Sequence, residues 1–518
     1  MPRWATPLLV TLAVSAVLAG WFWPIDKPGP DPAGDPPLDS ADPLLENWSP
    51  DDLTLVFSGQ QHGYLEPCGC SETQSGGFSR RADLLRKMDR RGFRPVAFDL
   101  GGLVQRRREQ SRLKYQTMLA ALGEMSYSVV GVGPEDLALG ADFLLSQGQT
   151  EDSDSPDSSA GPTRPHLLAA NLRLFDSDDL PGAPLASRLI ASGDHTIGVT
   201  AILDPRLGGQ LEAAGVLGDV TIRPPEEVLP GVLDSLARDG ATILVLLSHA
   251  SVETSLELAR KFPRLNLVVS AGGPEDPLTE NPRQVGNVTL VTIGHKGKYA
   301  GVVGFYPDRK TDKVRFELVN LDQRRFADTP TMNEHMKTYQ QTLQQLELAA
   351  NIPPISIPTR NRTPTADRHF VGAARCGECH AKAMQKWKNT PHATAFESLA
   401  HGRQGQEQTW IPRSFDPECL SCHVTGWHPQ DVLPYKTGFV DQASSGHLLG
   451  NQCENCHGAG SRHISLIEAG EIKEALAEVR LTLEEARRTT CIRCHDLDNS
   501  PKFHFDSYWT EIAHPGRD

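Results

Sequence analysis

What this 518-residue sequence lacks first is basic charge: 51 lysines and arginines stand against 65 aspartates and glutamates, for a formal net charge of −14. A chain of that sign repels a phosphate backbone, so no nucleic-acid partner is expected. Cysteine is nearly absent from the first 370 residues, which hold only Cys68 and Cys70, and ten in the whole chain is far below the density of a disulfide scaffold. Glycine (45) and proline (39) fall short of the share that marks a disordered or fibrous chain, and no internal repeat is visible. With 39% hydrophobic and 22% charged residues most of the chain should fold. It should do so around more than one core, because single cores rarely grow beyond about 250–300 residues. What is present is unevenly placed: the other eight cysteines lie beyond position 370, in four similarly built pairs.

Residues 4–23 carry no charge, follow Arg3 and close on Trp21, Phe22 and Trp23. A helix of that length spans about 30 Å, the thickness of a bilayer core, and tryptophan suits the headgroup boundary. Two readings stay open for residues 1–25: an uncleaved signal anchor, or a cleavable signal peptide with Leu8 to Ala19 as its apolar region and Val17-Leu18-Ala19 at the cleavage site. Both deliver the following residues outside the cytoplasm, with Arg3 on the inner side. The expected location is the periplasm, with residues 4–23 as an inner-membrane tether.

Residues 26–50, rich in proline and aspartate, read as a spacer, and Glu151 to Pro165, rich in serine and aspartate, as a solvated loop. A second proline-rich stretch, 351–368, separates a cysteine-poor region from a cysteine-rich one. Just before it, Met332, Met336, Tyr339, Leu343 and Leu346 recur at helical steps after Thr331, a good N-cap residue. Residues 329–350 therefore read as a helix that packs this stripe into a core.

Between residues 51 and 328, β-rich runs (LTLVFS, PVAFDL, YSVVGVG, HTIGVTAIL, ATILVLLSH, LNLVVSAG, NVTLVTIG, AGVVGFY) alternate with helix-like segments such as Arg80 to Arg91 and Pro230 to Arg238. This is an α/β pattern. Certain strand ends carry recurring chemistry: Ser58-Gly59-Gln60-Gln61-His62-Gly63, Gly76-Gly77-Phe78-Ser79-Arg80-Arg81, Asp99-Leu100-Gly101-Gly102, Gly133-Pro134-Glu135-Asp136, Leu247-Ser248-His249 and Gly272-Gly273-Pro274-Glu275. In order and placement these resemble the motifs of the 5'-nucleotidase branch of the calcineurin-like metallophosphoesterases. The resemblance implies a two-metal fold whose ligands are largely gone. Gln60 stands for the first metal aspartate, Gly102 for the bridging carboxylate, and Gly133 to Asp136 lack the metal asparagine and catalytic histidine. Only His62 and His249 are kept. A dinuclear centre needs several carboxylate, imidazole or amide ligands per cation, so an inactive scaffold is expected. Cys68-Gly69-Cys70 beside His62 is the one candidate for a rebuilt metal site, with a strained disulfide as its alternative.

The C-terminal cysteines spell Cys376-Gly-Glu-Cys379-His380, Cys419-Leu-Ser-Cys422-His423, Cys453-Glu-Asn-Cys456-His457 and Cys491-Ile-Arg-Cys494-His495. These are four copies of C-x-x-C-H, the attachment sequence of covalent haem c. Two thiols about one helical turn apart reach the two vinyl groups of one porphyrin, and the next imidazole is the proximal iron ligand. Zinc ribbons also use C-x-x-C pairs, but they leave no role for a histidine after every pair. Eight further histidines follow residue 368 as possible distal ligands: His369, His392, His401, His428, His447, His463, His504 and His514.

Residues 371–518 resemble the tetrahaem cytochrome c-554 type. The likeness runs through Cys376 to Ala400, the second motif with Gly426, Cys453 to Gly460 with His463, and Phe503 to His514. It implies that His392, His463 and His514 are distal ligands and that the second haem keeps an open or weakly held position. His401, His428 and His447, extra histidines, could close that position. Trp387, Trp427 and Trp509 are expected to pack against porphyrin faces.

The fold expected is thus an α/β metallophosphoesterase-like domain (51–328) followed by a mainly α, loop-rich multihaem cytochrome c domain (369–518). The function expected is periplasmic electron transfer between redox partner proteins, with four covalent haem c groups and membrane attachment through the N-terminus. Two alternatives are a haem oxidoreductase acting on a small nitrogen compound at the second haem, and an active phosphoesterase carrying a haem module.

Overall fold

The computed structural model describes residues 44–514 apart from 51, 68–73, 149–163, 178, 214, 278–280, 307–312, 359–367 and 403–408. The anchor or signal peptide, most of the spacer, the serine-rich loop to residue 163, much of the proline-rich linker and the Cys68/Cys70 pair lie outside the described residues. No helix among those described is long and apolar enough to cross a membrane. Leu45–Asp518 form one compact unit.

The α/β part is built on two six-stranded sheets. One runs Val314–Asn320, Tyr299–Phe305, Leu53–Ser58, Val96–Asp99, Tyr127–Gly131, His166–Leu168; the other Arg283–Val285, Val288–Thr292, Leu267–Ser270, Ile243–His249, His195–Leu203, Ser187–Ser192. The central strands are parallel and buried along their length, as Leu53–Ser58 and Ile243–His249 show. Such strands are covered on both faces, which is why they read as unbroken apolar runs rather than alternating ones. Leu55, Phe57, Phe98 and Val129 of the first sheet meet Val199, Val245, Leu247 and Val269 of the second in one core. Pro225–Arg238 and Val252–Lys261 cover the outer face of the second sheet through Leu229, Leu233, Leu236 and Leu258. Phe78–Arg90 and Glu109–Glu124 lie with the first sheet, and Pro330–Gln345 packs against both helices.

That last helix starts two residues earlier than its sequence suggests: Thr329, not Thr331, is the N-cap, because Pro330 has the fixed φ that suits the first helical residue. Met332, Met336, Tyr339 and Leu343 are buried as expected of a core stripe, whereas Leu346 lies at the C-cap and is 47% exposed. The proline-rich stretch beyond it is partly docked. Ile355 bridges to Tyr435 and exchanges backbone hydrogen bonds with Pro434 and Lys436 at 2.8 Å each, and Ile352 and Ile357 pack on the cysteine-rich core.

The cysteine-rich part consists of short helices and loops around a small core of Phe370, Phe396, Leu420, Trp427, Phe439 and Leu448. Trp427 is 3% exposed and donates its indole N–H to Phe439 O, so it serves this core rather than an outer face.

Candidate haem centres and the altered centre of the α/β domain

Each C-x-x-C-H segment is shaped by local capping. Motif 2 occupies the helix Pro417–His423, where Asp416 accepts the Glu418 N–H and Pro417 fills the first helical position. Motif 3 is the helix Cys453–His457, stopped by Gly458 at φ 84. Motif 1 spans the end of Ala373–Gly377, with His380 starting Ala381–Lys388, and motif 4 begins in the tight turn Cys491–Arg493.

Three histidines distant in sequence stand opposite motif histidines. Ring centroids are 6.3 Å apart for His380 and His463, 5.9 Å for His457 and His514, and 6.0 Å for His392 and His495. An imidazole nitrogen lies about 2.0–2.1 Å from a first-row metal and about 1 Å from its own ring centre, so two imidazoles trans across one metal have centroids roughly 6 Å apart. The observed spacings fit this. The motif histidines are also oriented. His457 Nδ1 lies 2.7 Å from Val479 O and His423 Nδ1 2.7 Å from Ala395 O, leaving Nε2 for iron. Ile472, Leu476, Leu483, Ile492 and Leu497 are left exposed around the motifs, as apolar side chains awaiting a large apolar group would be. The residues therefore fit haem c.

None of the eight motif cysteines is paired in a disulfide. Cys376 lies within hydrogen-bonding reach of Cys453, and Cys422 of Cys494, while Cys456 is close enough to Cys494 to act on it electrostatically. Motifs 1 and 3 thus sit together, as do motifs 2 and 4, with 3 and 4 adjacent. Buried Glu454 binds the first of these pairs, accepting N–H groups of Val371 (2.9 Å), Gly372 (2.8 Å) and Gly460 (2.7 Å), and Gln452 accepts that of Ala373 at 2.6 Å. Sequence reading missed Glu454 because a motif's variable positions carry no chemistry of their own.

The histidines near motif 2 make other contacts. His401 is 74% exposed beside Glu397, and His428 is held by Asp431 and the Tyr435 ring. His447 lies against Gly372, at motif 1. Trp387 donates to Asn451 O, and Trp509 stacks on Phe505.

In the α/β domain the turn after the first strand holds Gln60 and His62 at φ 50 and 52, secured by Gln60 N–H to Gly101 O (2.7 Å) and His62 N–H to Gly102 O (3.0 Å). His62 Nε2 is 2.9 Å from Gln60 Oε1, and a Cβ at Gly102 would collide with that oxygen. At φ 67 a side chain at 102 would be strained and would have to displace the Gln60 amide. His249 Nε2 donates to Leu100 O at 2.5 Å. Burial pulls both His62 and His249 down to about 4, so both are neutral at pH 7. Asp99 faces the fully buried Arg81 at 3.6 Å, accepts from Ser58 (2.5 Å) and Gln61 (3.3 Å), and burial raises it. Arg81 thus neutralises the buried Asp99. A third histidine, His295, which sequence reading passed over, lies 5.4 Å from His62 ring to ring. No group of three or more histidine, cysteine, aspartate or glutamate side chains able to hold a metal occurs among the described residues.

Comparison with known proteins places these parts. The family model for cytochrome c554 and c-prime matches residues 375–458. Cytochrome c-554 of Nitrosomonas europaea is 32% identical over 108 residues, 20% of this chain and 43% of that protein, so the chain spans less than half the length of the curated relative it matches. Similar solved structures include a 5'-nucleotidase precursor from Thermus thermophilus (TM-score 0.47, 21% identity, 57% of this chain and 59% of that one). Another is the Thermus thermophilus sulfate thiohydrolase SoxB (0.46, 15%, 72% and 75%). A third is the calcineurin-like phosphoesterase YfkN of Bacillus subtilis (0.45, 15%, 56% and 97%). The C-terminal part is similar to cytochrome c-554, and the N-terminal part to 5'-nucleotidase and calcineurin-like phosphoesterases.

Proposed function

We propose that this protein is an exported tetrahaem c-type cytochrome that passes electrons between redox partner proteins, and that its α/β domain is a non-catalytic scaffold. The observation that carries the reading is the three histidine pairs spaced for two axial ligands on one iron. Haem c, when bound, supplies a one-electron site at each motif. The cysteine pairs would tether the group, and His380 with His463, His457 with His514, and His495 with His392 would hold its iron. An iron held by two histidines would transfer electrons without binding substrate. Proximity of the cysteines supports a conduction order of motif 1, 3, 4, 2. The uncharged run 4–23 supports export, and its retention would tether the protein to the inner membrane.

A second reading, a haem oxidoreductase acting on a small nitrogen compound, is favoured by the contacts of His401 with Glu397, His428 with Asp431 and His447 with Gly372, none of which involves His423. Pyridine haemochrome analysis should give four haems per chain, and electron paramagnetic resonance at least three low-spin signals. A high-spin fourth signal that binds ligand selects the oxidoreductase, and four low-spin signals the pure carrier. A colourless protein refutes both. The scaffold reading is supported by Gln60, Gly102 and Arg81 and is tested with an aryl phosphate and added manganese or zinc; metal-dependent phosphate release, lost in His249→Ala, would overturn it.

A further inference from the structure

The α/β domain grips the cysteine-rich domain around motif 2 and again at the loop after motif 4. At motif 2, Lys114 Nζ meets Glu418 Oε2 at 2.5 Å, Arg106 meets Glu418 at 3.3 Å, and Gln110 and Gln340 donate to the two Asp416 oxygens at 2.8 and 2.9 Å. At motif 4 the contact is made beside the His62/His295 pair. Asp498 Oδ1 is 2.5 Å from Lys296 Nζ, its Oδ2 accepts from the Tyr64 hydroxyl at 2.9 Å, and its backbone carbonyl accepts from Gln74 at 3.1 Å. The ion pair is partly shielded, with Lys296 18% and Asp498 27% exposed.

The gripped loop carries the hydrogen-bond partner of a motif histidine. Ser500 Oγ lies 3.1 Å from His495 Nδ1, and the loop is closed by Ser500 N–H to Asp496 O at 2.8 Å and by Asn499 N–H to Asp496 Oδ1 at 2.7 Å. His423 and His457 direct Nδ1 chiefly at backbone carbonyls within their own domain, both at 2.7 Å, with Ser398 Oγ farther off at 3.4 Å from His423 Nδ1. His495 instead meets a hydroxyl, a rotatable acceptor whose position depends on its loop.

We propose that the α/β domain positions the axial histidine of motif 4: Lys296 and Tyr64, acting through Asp498, hold the 496–500 loop so that Ser500 accepts the Nδ1 proton of His495. With Nε2 held by iron, Nδ1 would carry the proton and donate it to Ser500. The stronger that hydrogen bond, the more basic the imidazole and the lower the potential of the iron it ligates. Lys296 and Tyr64 are positioning residues that touch neither thioether nor ligand. The α/β domain thereby sets one potential in the motif-2/motif-4 pair. The inference rests on the tetrahaem reading.

The test is a potentiometric titration of the full chain, followed by absorbance and electron paramagnetic resonance, with haem counted in every variant. Ser500→Ala, Asp498→Asn and Lys296→Met should each raise one of the four midpoint potentials and leave three in place. The reduction equilibrium of that one haem should shift by up to about tenfold, ~59 mV for a one-electron couple. Ser500→Thr, which keeps the hydroxyl, should restore it. If Asp498→Asn fails to assemble, Tyr64→Phe, which leaves the ion pair, gives the same readout at smaller amplitude. Four haems with unmoved potentials in Asp498→Asn and Lys296→Met, or an equal shift of all four, overturns the inference. Fewer than four haems in the unmutated protein overturns the tetrahaem reading instead.

Discussion

Arg81→Met puts the closed centre of the α/β domain under direct test. Arg81 and Asp99 are both fully buried and 3.6 Å apart, and the guanidinium also donates to Ser58 Oγ (3.0 Å) and Gln61 Oε1 (2.8 Å). At an effective dielectric constant near 20 the attraction at that distance is about 4–5 kcal/mol, set against the cost of burying both charges. Removing the arginine alone leaves a carboxylate without its cation, a change that costs about 3–5 kcal/mol in comparable buried pairs. Arg81→Met with Asp99→Asn should cost clearly less than the two single changes added, with a coupling of about 2 kcal/mol or more. Hydrogen exchange of the strand Val96–Asp99 reads this locally, which matters in a chain whose parts need not unfold together. The pH dependence has a definite sign. Burial already raises Asp99, and loss of Arg81 raises it further. A raised carboxyl gives its full stability below its unfolded pKa of about 3.9 and loses it as pH rises, so the deficit of the variant should be larger at pH 8 than at pH 5. A loss below about 1 kcal/mol, or additive single changes, would refute the claim that this pair closes the centre.

Three further outcomes are expected. His392→Ala should keep four haems while one low-spin signal of the oxidised protein turns high-spin; an unchanged spectrum would remove His392 as the partner of His495. His249, held neutral by burial at about 4, stabilises the fold fully above its unfolded value near 6.5 and should withdraw about 3 kcal/mol as pH falls through 4. His249→Gln should flatten that acid limb of the urea midpoint, and a steep limb in the variant would assign it elsewhere. Lys114→Met breaks the pair with Glu418, whose side chain is 31% exposed, so the loss should be only about 1–2 kcal/mol. It should appear as faster exchange in Pro417–His423, and unchanged exchange there would show that Asp416 alone carries the contact.

Much of the α/β fold is legible because its central strands are covered on both faces and so appear as apolar runs; LTLVFS and HTIGVTAIL are strands over their full lengths. Val314–Asn320 and Ser187–Ser192 escape such reading because they lie at sheet edges, half-exposed, and carry arginine and glutamate or serine between apolar residues. Glu109–Glu124 escapes for a different reason: its polar Gln110 and Lys114 look solvated but face the cysteine-rich domain. The attachment motifs are legible since covalent chemistry sets their spacing, and His392, His463 and His514 only through likeness to a family, since trans ligands come from distant segments. Asp498 and Ser500 give no local signal, because an acidic residue and a serine in a loop are the commonest of surface features.

The nearness of Cys376 to Cys453, and of Cys422 to Cys494, bears on how the protein is made. Each neighbour belongs to a motif separated from its mate by another motif in the chain. A polypeptide that compacted under oxidising conditions before its thioethers formed would present these sulfurs to one another and invite crosslinks between motifs. On the tetrahaem reading, maturation would have to run ahead of compaction, with each vinyl addition completed before the segment about 70 residues away folds beside it.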